Sequence, residues 1–356
     1  MRKAKQEAVP ALLDEKTVLS HTIYFLRFAL IVAVVFTHSR FVGPSTQYEG
    51  GYSLFVYLFT GVFERLPALV LFSGFLFFRS GFSIPVYGRK LKSRVRSLLV
   101  PYLFWNAAVL LFYLCLQLFL ISRGETPDSK CVWEYTAHDW WMAVWGGPVA
   151  RQFWFIRNLM VVMLFSPVFY VLVQYLRVWG VLLCALPWFL GVDVVLRMHT
   201  YTFFFFALGA WFALNKRNFV KDMEPYMGLS GIVFLLVAAW QVVCHLQGWR
   251  QVEWINKIGL CASVVFLIAW IGRMVGRGTL RVNVPLCQTS FFIFALHFIL
   301  VGLVRKLLAS FVPLSGWNCF WMHLLTAASV TLFCIGLYKL LHRLAPRFLS
   351  VITGGR

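Results

Sequence analysis

The run IYFLRFALIVAVVFTH, residues 23–38, decides the architecture of this chain. It is apolar except for Arg27 until Thr37 and His38 close it. With its flanks it is long enough to be a membrane-spanning helix, which needs about 20 residues. Ten residues stand between Arg27 and His38. A helix turns about 100° per residue, so eleven steps return His38 to within roughly 20° of Arg27, about 16 Å further along the axis. The two side chains therefore share one face. An Arg inside a bilayer costs on the order of 3 kcal/mol or more, so it faces a protein interior or a wet cavity and marks function. The same face then carries a proton-transfer group half a membrane away, an arrangement suited to chemistry across a membrane.

The rest of the composition agrees. Of 356 residues, 60% are apolar and 13% charged, where a soluble chain carries about 25% charged. The expected class is all-α: a polytopic bundle of about ten spans. The apolar stretches are roughly residues 20–37, 65–78, 98–121, 153–176, 178–192, 194–214, 227–246, 258–271, 290–312 and 320–341. Residues 51–63 are apolar too, as an interfacial helix or part of a longer tilted span. The first apolar run lies behind about twenty polar-leaning residues, with no small-x-small cleavage site after it, and reads as an anchor rather than a signal peptide. The eight cysteines are singletons without metal spacing. Cys131 and Cys319 fall in expected outer loops, and nothing in the sequence brings those loops together.

The formal charge of +20 raises nucleic acid as a partner. Its distribution argues against that. With the N-terminus inside, the inner segments collect Arg2, Lys3, Lys5 and Lys16, the cluster from Arg79 to Arg96, then Arg177, Lys216, Arg217, Lys221, Arg273, Arg277 and Arg281, and finally Lys339, Arg343, Arg347 and Arg356. The outer segments hold about half as many. This is positive-inside bias, with both termini cytoplasmic, and no nucleic-acid partner is expected. The longest outer loop, residues 122–152, carries Trp133, Trp140, Trp141 and Trp145 among four carboxylates. It reads as an interfacial aromatic belt, with sugar binding as the alternative.

Several constellations suit chemistry, and each has a plainer reading. His38 alone is a histidine at a helix end; with Arg27 on its face it is a base for a hydroxyl proton, a role worth typically 10²–10⁴-fold. Lys92, Arg94 and Arg96 lead into a span. They are a topogenic cluster, or a clamp for the phosphates of a nucleotide-like donor such as a CoA thioester. In FWFIRNL, residues 153–159, Trp154, Arg157 and Asn158 are an interfacial anchor or a carboxylate and sugar contact. Ser73 in SGF stands beside Gly74, where small residues usually permit close helix packing. Glu64 and Arg65 form a possible ion pair at the cavity edge. His297, in the middle of FFIFALHFILVG, and Arg197 with His199 are packing groups or cavity groups.

Taken in order, Arg27-x10-His38, SGF, the basic loop ending in Pro101-Tyr102, FWFIRNL, FFALGAW at residues 205–211 and the late His297 resemble the integral-membrane acyltransferase family 3. The chain is most similar to its compact glycan O-acetyltransferase branch, which includes the enterobacterial common antigen enzyme. The resemblance spans about residues 20–341. It implies a cytoplasmic segment at 1–19, a transmembrane acyltransferase domain at 20–342 and a cytoplasmic tail at 343–356, in a bacterial inner membrane. It implies transfer of an acetyl or other short acyl group from acetyl-CoA, or another acyl-CoA, to a hydroxyl of an envelope glycan or lipid-linked sugar, without a metal. Arg27 and His38 map onto the family's essential pair, and Arg94 and Arg96 onto its donor contacts. His38 is then general base or transient acyl carrier. Arg157, Asn158, Trp154, Arg197, His297, Ser73 and Glu64 are candidate substrate contacts. Family members often have Asp where this chain has Asn158. The alternative reading is a translocase of a lipid-linked sugar or acyl group without bond chemistry. Membrane lipids are partners under either.

Overall fold

The computed structural model describes residues 13–41, 51–58, 67–127, 129–192, 194–195 and 198–355. The candidates Glu64, Arg65 and Arg197 lie outside these residues. In chain order the first helices are α1 (Glu15–His38), α2 (Gly51–Tyr57), α3 (Pro67–Phe78), α4 (Ile84–Arg94), α5 (Val100–Ser122) and α6 (Ala137–Trp141). Next come α7 (Trp154–Leu164), α8 (Ser166–Leu176), α9 (Val178–Phe189), α10 (Tyr201–Leu214), α11 (Phe219–Met223) and α12 (Met227–Gln247). The last are α13 (Glu253–Gly276), α14 (Val284–Cys287), α15 (Ser290–Phe311), α16 (Gly316–Leu344) and α17 (Pro346–Thr353). A two-residue hairpin, Val194–Val195 against Met198–His199, precedes α10.

Each apolar stretch of the sequence contains a helix, but the stretches are not equivalent spans. Among the described residues, 6 helical segments are long and apolar enough to cross a bilayer: Glu15–His38, Ile84–Ser122, Phe219–Gln247, Glu253–Gly276, Ser290–Phe311 and Gly316–Leu344. The stretch 153–176 is broken: Arg151–Leu164 and Ser166–Leu176 meet at 60°. Pro167 sits in the first turn of α8 and has no N–H to continue the hydrogen bonding of α7, so the break falls there. The helices α3, α9 and α10 are short. Twelve residues of helix reach about 18 Å, against a hydrocarbon core of about 30 Å. Almost every residue of α3 is buried, so protein rather than lipid surrounds its ends. The result is a multi-pass membrane bundle.

Local chemistry sets the ends that matter. The Asp14 side chain accepts the Thr17 N–H at 3.2 Å and starts α1, with Glu15 in its first turn. At the other end Ser39 donates its hydroxyl to Val35 O at 2.7 Å, and the helix stops at His38. The helices α3 and α10 approach each other closely. A Cβ on Gly74 would lie 2.2 Å from Phe206 O, and one on Gly209 would lie 2.1 Å from Leu71 O. Each glycine thus removes a side chain where the other helix's backbone passes.

The Trp-rich segment is tied down from below. Tyr102 donates its hydroxyl to Val144 O. Asn106 Oδ1 accepts Ala150 N–H at 3.3 Å. Lys130 reaches Asp139 at 2.6 Å, and this bond, with those from Thr136, holds the Asp139 carboxyl well below the usual carboxylate range. Trp133, Trp140 and Trp141 are exposed. All eight cysteines are free, so Cys131 and Cys319 are not paired.

Candidate functional site

A cavity of about 370 Å³ opens between α1, α3, α7, α15 and the junction of α4 with α5. Tyr24, Arg27 and Ile31 line it from α1, at the three- and four-residue spacing of one helix face. Ser73 faces it from α3, Arg94 from the end of α4, Gln288 from the cap of α14, and Phe291 and Phe294 from the start of α15. Among the described residues its wall holds two guanidiniums and no carboxylate. Arg27 makes no hydrogen bond or ion pair among the described residues, and Arg94 Nε is buried without a partner. Two uncompensated cations in an enclosed wall call for an anionic or strongly dipolar guest. Ser73 contributes little polarity of its own, because its hydroxyl is donated to Leu69 O at 2.8 Å.

The structure divides the basic cluster. Residues two apart on a helix point about 200° apart, so Lys92 and Arg96 share a face and Arg94 takes the opposite one. Arg94 and Leu98 turn into the cavity. Lys92 and Arg96 turn, with Arg89, into an open groove of about 690 Å³ against α17. Residues 95–99 form a π-helical turn where the two faces part, a distortion often found at functional sites. The last described residue, Gly355, lines both spaces, so groove and cavity adjoin. Gly354 and Gly355 are both left-handed, with φ of 71° and 75°. A Cβ on Gly354 would meet Ser97 O at 2.4 Å. Trp105 clamps the tail by donating to Ile352 O at 2.9 Å. Composition gave no hint of this role for the C-terminal residues.

His38 lies on the stripe that Arg27 begins, but not on the cavity wall. The last cavity residue of α1 is Ile31, and His38 is about 10 Å beyond it along the axis. Phe294 closes the space on the α15 side and packs against His297, ring centroids 6.1 Å apart. His38 sits between His297 and Phe298 of α15, at centroid distances of 5.4 Å and 5.6 Å. His297 is fully buried behind it. His323 of α16 steadies the end of α1. Its Nε2 donates to Phe36 O at 2.7 Å, and its Nδ1 accepts from the Tyr52 hydroxyl at 3.1 Å. That hydroxyl in turn accepts Phe41 N–H at 3.0 Å. Neither His323 nor Tyr52 stood out in the sequence; a histidine inside an apolar run was the only available signal.

Phe155, Ile156 and Leu159 of FWFIRNL line this cavity, but its candidate contacts Trp154, Arg157 and Asn158 do not. Arg157 is buried and donates through Nη1 to Trp145 O and Gly146 O, both at 2.9 Å. It also donates to Asn158 Oδ1, from Nη2 at 3.2 Å and Nε at 3.4 Å. Asn158 Nδ2 is buried with no partner among the described residues. Arg157 thus fastens the Trp-rich segment to α7. Trp154 packs edge-on against His199, centroids 5.1 Å apart, and His199 stacks on Tyr201.

A membrane helical bundle with a cationic interior cavity and a histidine pair beyond it defines a class that comparison makes definite. A family model described as an acyltransferase domain matches residues 21–339, so the chain belongs to this family of membrane acyltransferases, acyltransferase family 3. Among characterised relatives, the succinoglycan biosynthesis protein ExoH of Rhizobium meliloti (strain 1021) is 26% identical over 359 residues, covering 95% of this chain and 92% of that one. No solved structure gives a significant match.

Proposed function

We propose that this protein is a bacterial inner-membrane O-acyltransferase that moves a short acyl group, acetyl foremost, from acyl-CoA to a hydroxyl of an envelope glycan or its lipid-linked precursor. The observation that carries this reading is the cavity holding Arg27 and Arg94 beside a groove holding Arg89, Lys92 and Arg96. A CoA thioester needs such a sequence of environments. Its phosphates bind the groove cations, with Arg supplying bidentate contacts. Its pantetheine arm passes Gly355 into the narrow cavity, whose volume suits a thin chain with a small acyl group. Arg94 and Arg27 then hold the donor arm within the cavity, its acyl end directed along the α1 stripe toward His38. His38 takes the proton of the attacking sugar hydroxyl. The positive-inside bias of the sequence supports a cytoplasmic position for the groove end. The glycan acceptor draws support from the family and from a relative named for succinoglycan biosynthesis.

The test uses purified protein in nanodiscs with radiolabelled acetyl-CoA and a lipid-linked oligosaccharide extract. His38→Ala is expected to lower transfer by roughly 10²–10⁴-fold while CoA still raises the melting temperature. Arg94→Ala is expected to raise the KM for acetyl-CoA and weaken that stabilisation. Full activity in His38→Ala would sink the mechanism. Absence of any stabilisation by CoA in the unmodified protein would favour a translocase instead.

A further inference from the structure

The mechanism above leaves the second histidine unused. His297 is fully enclosed, one turn beyond the cavity wall residue Phe294. Its Nδ1 lies 2.7 Å from Phe294 O and 3.2 Å from Ile293 O. Carbonyl oxygens only accept, so Nδ1 carries the hydrogen. In the neutral ring Nε2 is then a lone pair. That Nε2 is buried and has no partner among the described residues. Buried acceptors are nearly always satisfied, so an orphaned one marks a place where a donor belongs. The ring beside it is His38, with centroids 5.4 Å apart, close enough for one nitrogen of each to share a hydrogen bond directly or through one water. Phe298 packs edge-on to His38 from the same helix and limits its rotation.

We propose that His297 is a positioning residue for His38: its Nε2 accepts the N–H of His38 and so fixes which His38 nitrogen is left free to act as base. The fixed backbone bonds of Nδ1 determine the tautomer of His297, and His297 determines that of His38. This is the logic by which an outer partner orients a working imidazole, carried out here by a second, neutral imidazole. This inference rests on the acyl-transfer reading. In the step itself the sugar O–H bond breaks toward the free nitrogen of His38, and the oxygen bonds the acyl carbon. The C–S bond then breaks, and the proton returns from His38 to the CoA sulfur as thiol. Throughout, the opposite N–H of His38 stays held by His297.

Two substitutions separate positioning from packing. His297→Gln keeps an amide that donates to the Phe294 and Ile293 carbonyls and an oxygen that accepts from His38. His297→Leu keeps the bulk without the acceptor. His297→Leu is expected to lower kcat roughly 10²-fold with the KM for acetyl-CoA and the CoA-induced thermal shift nearly unchanged, and His297→Gln is expected to recover about tenfold of the loss. If His297→Leu does not fold, His297→Gln alone decides, with kcat within tenfold of the unmodified protein expected. Wild-type kcat in His297→Leu, or equal loss in a folded Leu and Gln pair, overturns the proposal. The base reading stands or falls separately, on His38→Ala: if that variant is inactive while His297→Leu is fully active, only the positioning role is lost.

Discussion

At the scale of single residues, helix phase decides more than charge. Lys92, Arg94 and Arg96 look like one clamp in the sequence, yet alternate residues cannot share a helix face. The outcome is one guanidinium inside the cavity with Arg27 and two cations on the groove beside it. Asn158 shows a second such effect. The family often has Asp at this position, and here Asn158 Oδ1 still accepts from two nitrogens of Arg157 while Nδ2 has no partner among the described residues. The site is built around an acceptor. Asn158→Asp replaces an unsatisfied donor with a charge-assisted acceptor, and is expected to stabilise the protein by about 1 kcal/mol with activity retained. Thermal unfolding in detergent measures this, and a lower melting temperature would count against an acceptor site.

Among the elements, the pairing of α3 with α10 carries the bundle's interior. Both are too short to cross a bilayer and survive because the bundle encloses them. Gly74 and Gly209 let their backbones meet, and neither has room for a methyl group. Gly209→Val is expected to destabilise by at least about 1–3 kcal/mol and to narrow the cavity through Ser73 and Leu69 on α3. Loss of melting temperature together with loss of CoA binding is the expected result; an unchanged melting curve would show that the helices can part without penalty. The sequence signalled this contact through SGF and FFALGAW, since small residues in apolar helices mark close approach. It did not signal the break between α7 and α8, because hydropathy averages across residue 165 without seeing the geometry that Pro167 imposes.

Across the whole molecule, the proposed donor path joins segments from both ends of the chain. Trp105 holds the last turn of α17, Gly354 after it packs against Ser97, and Gly355 stands where groove and cavity meet. Gly355→Trp is expected to raise the KM for acetyl-CoA about tenfold or more while kcat at saturation falls less, because the obstruction lies on the entry route and not at the reacting atoms. Equal kinetics in that variant would mean that the thioester enters elsewhere. Beyond the cavity, Ile31 and Phe294 stand between Arg27 and the His38–His297 pair. The sequence determined the bundle, its apolar stretches and the common stripe of Arg27 and His38, because transfer energies and helical phase are local properties of neighbouring residues. Only the tertiary structure set His297 behind His38, turned Arg94 toward Arg27 and brought Gly355 to the cavity mouth. Those contacts join residues remote in the chain, and they are fixed by which helix faces pack together, a choice that no single segment contains.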